Sequence, residues 1–352
     1  MNFLSLNEFA AKLNVTKKTA TNKLQNDGYS FFKRGKNYKI PSATLEAKEL
    51  FDIQKKQQTR AKVFMIGNHK GGSGKTTSSI NIAASLAFYG YRVLLVDMDN
   101  QSNASTINKL HIKYNFDEKN ITKLLLEMKG MDKAKLLQEL KSTIVNVHSE
   151  YFKHENSKLD LLPNSLEWDQ QKEMLFTYPN AENMLNRLLK PLHGEYDYII
   201  IDTHPSMDIT WRMSVMASDA IIIGLKAEQY SVEGLAGIFK RLYDLDDDYY
   251  ENKSHHIEIL GAIITDYKKN TSIARANAPI IEDSIREYSL YNHAVLLKPF
   301  ISHSVKASEQ QTLRGPIMFD DPISNMSLEY LTITIEIVKY LELLDMNRGK
   351  EE

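Results

Sequence analysis

The residues that could do chemistry begin with a glycine-rich segment, residues 67–77, which reads Gly-Asn-His-Lys-Gly-Gly-Ser-Gly-Lys-Thr-Thr. It follows the apolar run Val63–Ile66 and precedes apolar residues at helical spacing. Glycines let backbone N–H groups converge on phosphate oxygens, and the N-terminus of the next helix adds positive potential. Lysine then reaches the outer phosphates, and threonine holds magnesium. The predicted phosphate cradle consists of Gly71, Gly72, Ser73, Gly74, Lys75, Thr76 and Thr77.

Three aspartates follow two other apolar runs. Asp97 and Asp99 come after Val93–Val96, and Asp202 comes after Tyr198–Ile201. In an open parallel α/β sheet, ligands bind at the carboxyl ends of the strands. The three carboxylates are therefore expected around the phosphate cradle.

Short, mostly β-branched runs must position these groups, and helical segments separate them. Such runs are apolar on both faces and are typical of strands covered on both sides. They predict an α/β fold with a doubly wound, mostly parallel sheet. The predicted strands are Val63–Ile66, Val93–Val96, Tyr198–Ile201, Ala220–Ile223 and Ile259–Ile264.

The N-terminal residues have a different pattern. Ser5 and Glu8 have capping-box spacing, and Thr16 is placed to cap a second helix with a polar, basic surface. Residues 29–40 have the pattern of a hairpin. We predict a winged helix-turn-helix in residues 1–41, a linker helix in 42–61 and a P-loop domain in 62–352. The predicted DNA contacts are Lys17, Lys18, Thr19, Thr21 and Asn22 from the second helix, and Lys33, Arg34 and Lys36 from the wing.

Charge supports this division. Residues 1–62 contain 13 Lys and Arg against 5 Asp and Glu, a net charge of +8, while the rest of the chain has a net charge of −9. A basic unit is what binding to a phosphate backbone requires, although a solvated dimerisation appendage would have the same composition. The chain contains no cysteine, which excludes disulfides, thiolate metal sites and a cysteine nucleophile. No export signal or apolar stretch of transmembrane length is present, so a cytoplasmic location is expected.

Three segments resemble one known family. Residues 70–77 resemble the deviant Walker A box of the ParA/MinD ATPases, although His69 stands where the strict P-loop pattern has glycine. Residues 94–104 resemble the second acidic motif of that family, with Asn100 and Ser102 where proline and glycine are usual. Residues 196–206 resemble its Walker B strand, with His204 in place of a customary proline. The segments 228–235 and 305–316 match later family segments in spacing. The likeness covers roughly residues 62–340, and with the N-terminal unit the chain resembles the larger, plasmid-type ParA partition ATPases.

The resemblance implies specific roles in a weak ATPase that uses ATP, ADP and Mg²⁺. Lys75 would bind the β- and γ-phosphates in its own subunit, and Lys70 would reach the nucleotide of the partner subunit in an ATP sandwich homodimer. Asp99 would position the attacking water. The implied magnesium set is Thr76, Asp202, which acts through water, and Asp97 as a structural neighbour.

The resemblance also implies partners. These are a ParB-type centromere-binding protein that stimulates hydrolysis, operator DNA, and nucleoid DNA bound without sequence preference. Candidate contacts for the last are Lys268, Lys269 and Arg275, which could equally be plain solvated charges. The segment Leu331–Leu344 is too acidic for a membrane helix, so no membrane is expected. A nucleoid-associated partition ATPase that also autoregulates its operon is therefore predicted. A nucleotide-switched repressor and an ATPase that positions another cargo remain as alternatives.

Overall fold

A computed structural model of the chain describes residues 2–35, 37–68, 70–99, 101–105, 116–166, 174–253, 257–289, 294–304 and 315–348. Several features of the sequence interpretation lie outside these ranges. They are Lys36 of the predicted wing, His69, Asn100 and most of the segment 305–316.

The N-terminal unit contains two helices and a small antiparallel sheet. Helix α1 (Leu6–Lys12) begins with the Ser5–Glu8 capping box, and Thr16 caps α2 (Lys17–Asn26). Strands β1 (Phe3–Leu4), β2 (Phe32–Arg34) and β3 (Asn37–Pro41) pair in the order β1-β3-β2. The two caps, the two helices and the hairpin are confirmed, whereas β1 was not predicted. The winged helix-turn-helix class of this unit stays a prediction.

Helix α3 (Thr44–Gln57) connects this unit to the rest of the chain and packs firmly against it. The Phe51 ring meets the Tyr91 ring edge-on, with centroids 5.1 Å apart. The Gln54 side-chain amide donates to the Tyr198 hydroxyl at 2.8 Å. The helix predicted for residues 42–61 is thus packed against the central sheet, because its side chains contact Tyr91 and Tyr198.

Eight strands among the described residues form the central sheet. Those not yet named are β4 (Lys62–Gly67), β5 (Arg92–Met98), β6 (Val145–Asn146), β7 (Lys158–Leu162), β8 (Tyr198–Thr203), β9 (Ala220–Lys226), β10 (Glu258–Thr265) and β11 (Val295–Leu297). Their spatial order is β11-β10-β9-β4-β8-β5-β7-β6. All pairs are parallel except β6 with β7. The five predicted strands are confirmed, while β6, β7 and β11 were not predicted.

Helices cover both faces of the sheet. They are α4 (Lys75–Phe88), α5 (Ile121–Glu127), α6 (Lys133–Thr143), α7 (Met184–Leu189), α8 (Ile209–Ala217), α9 (Gln229–Lys253), α10 (Ser272–Tyr288), α11 (Ile317–Asp320) and α12 (Asn325–Arg348). Successive residues of one strand point to opposite faces. Met65 accordingly belongs to the apolar cluster that includes α8, α9 and α10, whereas Phe64 belongs to the one that includes α4 and α12. Both faces are apolar because both are covered.

Helix α12 is a packing element, as the segment Leu331–Leu344 predicts. Leu331, Ile335 and Val338 are each no more than 1% exposed. Among the described helices, none combines the length and the apolar character needed to cross a bilayer.

Candidate active site

The glycine-rich segment forms the turn between β4 and α4, at the carboxyl end of the central strands. Gly72 and Gly74 have φ values of +70° and +78°, in the left-handed region that favours glycine. A Cβ at Gly74 would lie 2.6 Å from Thr265 Oγ1, so the position has no room for a larger residue. Gly74 is also the N-cap of α4 and offers no side-chain acceptor to the first N–H groups. Those N–H groups are left for an anion.

Lys75 begins α4 and is only 6% exposed. Its ammonium group donates to the Lys70 carbonyl at 3.2 Å. Burial lowers the pKa of Lys75, and the Asp202 and Asp99 carboxylates oppose that shift. An ammonium group has three donors. Because only one of them has an acceptor among the described residues, Lys75 retains donors for phosphate oxygens.

Asp97 and Asp202 face each other across the neighbouring strands β5 and β8. Asp97 is fully buried, and its Oδ2 accepts from the backbone N–H of Ser105 at 2.7 Å and from its hydroxyl at 2.6 Å. Its Oδ1 accepts from the Asp99 N–H at 3.0 Å. Burial and the Asp202 charge raise the pKa of Asp97 well above its ordinary value. Both oxygens are therefore used to hold the loop after β5, which favours a structural role over direct ligation of magnesium.

Asp202 is fully buried at the end of β8. Its Oδ1 accepts from the Ser79 hydroxyl at 2.9 Å, whereas its Oδ2 is buried with no hydrogen-bond partner among the described residues. Burial and then the Asp99 charge raise the pKa of Asp202 to about 7, against the opposing effects of Thr76, Ser79 and Lys75. A buried polar atom without a partner requires a reason. A carboxylate oxygen beside a threonine hydroxyl fits magnesium, which binds hard oxygen ligands.

Asp99 lies on the loop after β5 and is 5% exposed. Its Oδ1 accepts from the Gln101 N–H at 2.9 Å, and its carbonyl accepts from the Ser102 N–H at 2.9 Å. Ser102 has φ +52°, which explains why glycine suits this position in the resembling family. No described residue donates to Oδ2 of Asp99, so that oxygen is available to water in the cavity.

The Lys70 side chain forms an ion pair that the sequence does not reveal. Its ammonium lies 2.9 Å from Glu228 Oε2 and 5.7 Å from the centroid of the Tyr230 ring. The Lys70 side chain is 38% exposed, that of Glu228 is 48% exposed, and Tyr230 is 74% exposed. The lysine thus lies at the surface beside the phosphate cradle.

The predicted phosphate cradle lines a cavity of about 520 Å³. All seven predicted cradle residues and Asp99 line it, whereas Lys70, Asp97 and Asp202 do not. The sequence interpretation gave no role to several other lining residues: Ile80, Asn81, Gln101, Asn103, His204, Pro205, Gly315 and Ile317. Gln101, Asn103 and His204 lie inside the motifs already singled out, so their position next to Asp99 and Asp202 was a usable signal. Asn81 offered none, because its acceptor role toward the Ile317 N–H spans 236 residues.

The predicted DNA contacts lie apart from this cavity. Lys17, Lys18, Thr19 and Asn22 are exposed on α2, while the Thr21 hydroxyl donates to the Lys17 carbonyl at 3.0 Å. The Lys33 ammonium lies 5.5 Å from the centroid of the Tyr38 ring, and Arg34 ends β2. Lys268, Lys269 and Arg275 are exposed after β10 and on α10. Among the described members, Lys17, Lys18, Thr19 and Asn22 on α2 and Lys268, Lys269 and Arg275 near β10 are therefore exposed to solvent, in two separate places.

A family model described as an AAA domain matches residues 61–257 of the chain. The sporulation initiation inhibitor protein Soj of Bacillus subtilis is 31% identical over 276 residues, which cover 78% of this chain and 98% of Soj. The chain belongs to the ParA/MinD family of P-loop ATPases. A second family member, the chromosome partitioning protein ParA of Myxococcus xanthus, is 30% identical and covers 80% of this chain and 89% of its own length.

Solved structures agree with this family assignment. A plasmid partition protein from Borrelia burgdorferi bound to AMPPNP is 27% identical, with a TM-score of 0.58 over 80% of this chain and 99% of its own. A cobyrinic acid a,c-diamide synthase from Mycobacterium smegmatis with an ATP analogue and magnesium has a TM-score of 0.59, over 80% of this chain and 96% of its own. At 23% identity it supports the fold alone.

Proposed function

We propose that this chain is an ATP-dependent DNA partition ATPase, of the kind that segregates plasmids. It dimerises on ATP, binds DNA and is stimulated by a centromere-binding partner of the ParB type. The observation that carries the proposal is the buried Oδ2 of Asp202, which has no hydrogen-bond partner among the described residues, beside the N-terminus of α4, which has no side-chain cap. That arrangement suits a nucleotide with magnesium. The likeness to Soj and to a plasmid partition protein bound to AMPPNP supports the biological role.

The described side chains divide the work of hydrolysis among them. The N–H groups of the cradle and the Lys75 ammonium bind the phosphates of ATP. Thr76, together with Asp202 through water, would hold magnesium, which when bound neutralises charge on the β- and γ-phosphates. Asp99 uses its free Oδ2 to orient the attacking water. Asp97 holds the loop on which Asp99 lies, through the bond from the Asp99 N–H.

Lys70 is the residue that couples ATP to dimerisation in this proposal. An exposed ion pair such as that with Glu228 contributes less than about 1 kcal/mol. A triphosphate in a partner subunit carries more negative charge than one carboxylate, so exchange of Glu228 for that phosphate is favourable. Lys70 would then link two subunits only when ATP is present.

The DNA contacts follow from charge and exposure. We assign residues 1–41 to a winged helix-turn-helix that reads operator DNA, residues 42–61 to the docked linker helix and residues 62–352 to the ATPase. The exposed residues of α2 would contact base edges, and the wing would contact phosphates. Lys268, Lys269 and Arg275 would bind nucleoid DNA without sequence preference.

A second function, a nucleotide-switched repressor of its own operon, is favoured by one contact. Phe32 of the wing stacks on Phe88, with centroids 4.7 Å apart and planes 19° apart. Phe88 is the last residue of α4, whose first residue is Lys75. A single helix therefore joins the nucleotide site to the unit proposed to bind operator DNA, which gives ATP a route to the operator.

ATP hydrolysis tests the enzymatic part of the proposal. We expect slow turnover that DNA and the partner stimulate, loss of nucleotide binding in Lys75→Ala, and binding without turnover in Asp99→Ala. Lys135→Ala, an exposed lysine outside the cavity, is the matched control. Intact nucleotide affinity in Lys75→Ala, measured by calorimetry, would contradict the cradle assignment.

Plasmid inheritance separates partition from repression. A Lys17→Ala, Lys18→Ala double variant is expressed from a foreign promoter, so that autoregulation no longer matters. Point changes are preferable to a deletion of residues 1–60, since that deletion would also remove the core contacts of Phe51 and Gln54. Normal inheritance would make the N-terminal unit regulatory only, whereas plasmid loss would give it a part in segregation.

A further inference from the structure

His204 stands on the wall of the nucleotide cavity, two residues after Asp202 and at a position where the resembling family has proline. A proline there presents only ring carbons, while a histidine brings two nitrogen atoms. The ring is half-buried, and the same cavity is lined by the phosphate cradle and Asp99. His204 has no role in the mechanism proposed above.

Hydrogen bonds fix the tautomer of the neutral His204 ring. The Ser206 N–H donates to His204 Nδ1 at 3.1 Å. The Ser206 hydroxyl, 3.0 Å from the same nitrogen, donates its own proton to Asp208 Oδ2 at 2.7 Å. Nδ1 is therefore an acceptor, and in the neutral ring the proton must lie on Nε2.

A helix start anchors this arrangement. Asp208 caps α8, and its Oδ1 accepts from the Thr210 N–H at 3.0 Å. Asp208 holds Ser206, and Ser206 holds the ring, so the imidazole is fixed from the side that bears Nδ1. Nε2 lies on the opposite edge of the ring from the atoms that hold it.

The Nε2 donor has no acceptor among the described residues, since every hydrogen bond of the His204 ring there involves Nδ1. The α- and β-phosphates have their own donors in the cradle and at the N-terminus of α4. The end of β8, with Asp202, lies beside β5, and the loop after β5 carries Asp99. The roles proposed for these two aspartates place the outermost phosphate and the attacking water on this side. An N–H without an acceptor in the described part of the chain, on a side chain that lines the cavity, suits an anionic oxygen.

We propose that His204 donates its Nε2–H to the terminal phosphate of bound ATP and thereby distinguishes ATP from ADP. The inference rests on the proposed function, because it requires ATP in this cavity. His204 acts as a fixed hydrogen-bond donor and contacts the substrate directly. Ser206 and Asp208 are positioning residues, which occupy Nδ1 and so keep the proton on Nε2.

Calorimetry with two nucleotides tests this role. The full chain, His204→Leu and His204→Gln are titrated with AMPPNP and with ADP, each with magnesium. A hydrogen bond to a charged group is worth a tenfold or larger change in affinity. We expect His204→Leu to bind AMPPNP about tenfold more weakly and ADP within about twofold of wild type. His204→Gln, which keeps an N–H at similar reach, should retain most of the AMPPNP affinity.

A spectroscopic readout supplements the affinities. In protein labelled with ¹⁵N-histidine, the Nε2 resonance of His204 should shift on addition of AMPPNP and magnesium, and much less with ADP. His148→Leu, which changes an exposed histidine outside the cavity, serves as the control for loss of an imidazole. Thermal unfolding checks that each variant is folded.

The outcomes distinguish failure of the role of His204 from failure of the proposed ATPase function. Equal losses for both nucleotides, or none, in a folded His204→Leu would overturn the role of His204 while leaving the ATPase proposal intact. An unmoved Nε2 resonance with AMPPNP would do the same. Wild-type protein that binds neither nucleotide would refute the proposed function itself, and this inference with it.

Discussion

Phe32 makes one of the contacts that join the N-terminal unit to the nucleotide-binding core. Its side chain is 3% exposed and stacks on Phe88 with ring centroids 4.7 Å apart. It also meets Tyr151 edge-on at 5.3 Å. The preceding residue, Phe31, is 8% exposed but packs on the other side, within the apolar cluster of the N-terminal unit. The two neighbours therefore form a matched pair, because equal truncations remove contacts from different cores.

Truncation of a buried phenylalanine to alanine costs about 3–5 kcal/mol of stability. Phe32 is almost completely buried between several rings, so we expect Phe32→Ala to lie in this range, whereas Phe32→Leu, which refills most of the volume, should cost less than about 1.5 kcal/mol. Phe31→Ala should cost a similar amount to Phe32→Ala. Its effect should fall on α1, α2, the hairpin and the segment around Lys153, whose ammonium lies 4.5 Å from the centroid of the Phe31 ring, and should spare α4.

Urea denaturation measures the free energy of unfolding, and amide hydrogen exchange locates the loss. For Phe32→Ala we expect faster exchange in α3 and in the last turn of α4, both of which flank the contact. For Phe31→Ala we expect faster exchange in the N-terminal unit and next to Lys153, and unchanged exchange in α4. A loss of less than about 1 kcal/mol in Phe32→Ala, or an unchanged α4, would refute the docking of this unit on the nucleotide-binding helix.

Three further predictions concern the site and the DNA contacts. Burial raises the pKa of Asp202 from 3.8 to about 7. Without magnesium and nucleotide, the protonated carboxyl therefore favours the folded state fully below about pH 4, and this part of the free energy of unfolding is lost as the pH rises through 7. Urea denaturation in EDTA should show Asp202→Asn gaining up to about 4 kcal/mol over wild type between pH 4 and 8, and a pH-independent difference would contradict this. Ser102 has φ +52°, where a β-branched side chain is strained, so Ser102→Val should lower the free energy of unfolding by about 2 kcal/mol and Ser102→Gly should change it by less than about 1 kcal/mol. The same denaturation measures both variants, and equal losses would argue against backbone strain at this position. In fluorescence anisotropy, Asn22→Ala should reduce the preference for operator over random DNA, while Lys33→Ala should weaken both about equally; identical profiles would rule out direct readout by α2.

The sequence predicts the centre of the fold better than its edges. Strands β4, β5, β8, β9 and β10 are continuous apolar runs, because helices cover both of their faces. Strand β7 escapes the same criterion because Asp160 interrupts it. That aspartate is buried and accepts from the Tyr196 hydroxyl at 2.8 Å, a tertiary contact that local pattern does not contain. Strands β6 and β11 have two and three residues, too few for any periodicity.

The candidate site divides in the same way. The phosphate cradle is predictable because one contiguous segment supplies the glycines, the lysine and the hydroxyl. The pairing of Lys70 with Glu228 spans 158 residues and depends on how α9 is placed. The tautomer of His204 depends on the turn that brings the Ser206 N–H to Nδ1. Such contacts arise from the fold, and the sequence alone indicates only that the residues are near a motif.

Sedimentation of the Asp99→Ala variant tests the central claim, that ATP drives this chain into a dimer through Lys70, because hydrolysis then does not remove the ligand. With ATP and magnesium, we predict a dimer that ADP does not support. Adding Lys70→Ala to the same chain should leave ADP affinity nearly unchanged and abolish the ATP-dependent dimer. A double variant that dimerises on ATP as strongly as Asp99→Ala alone would contradict the account.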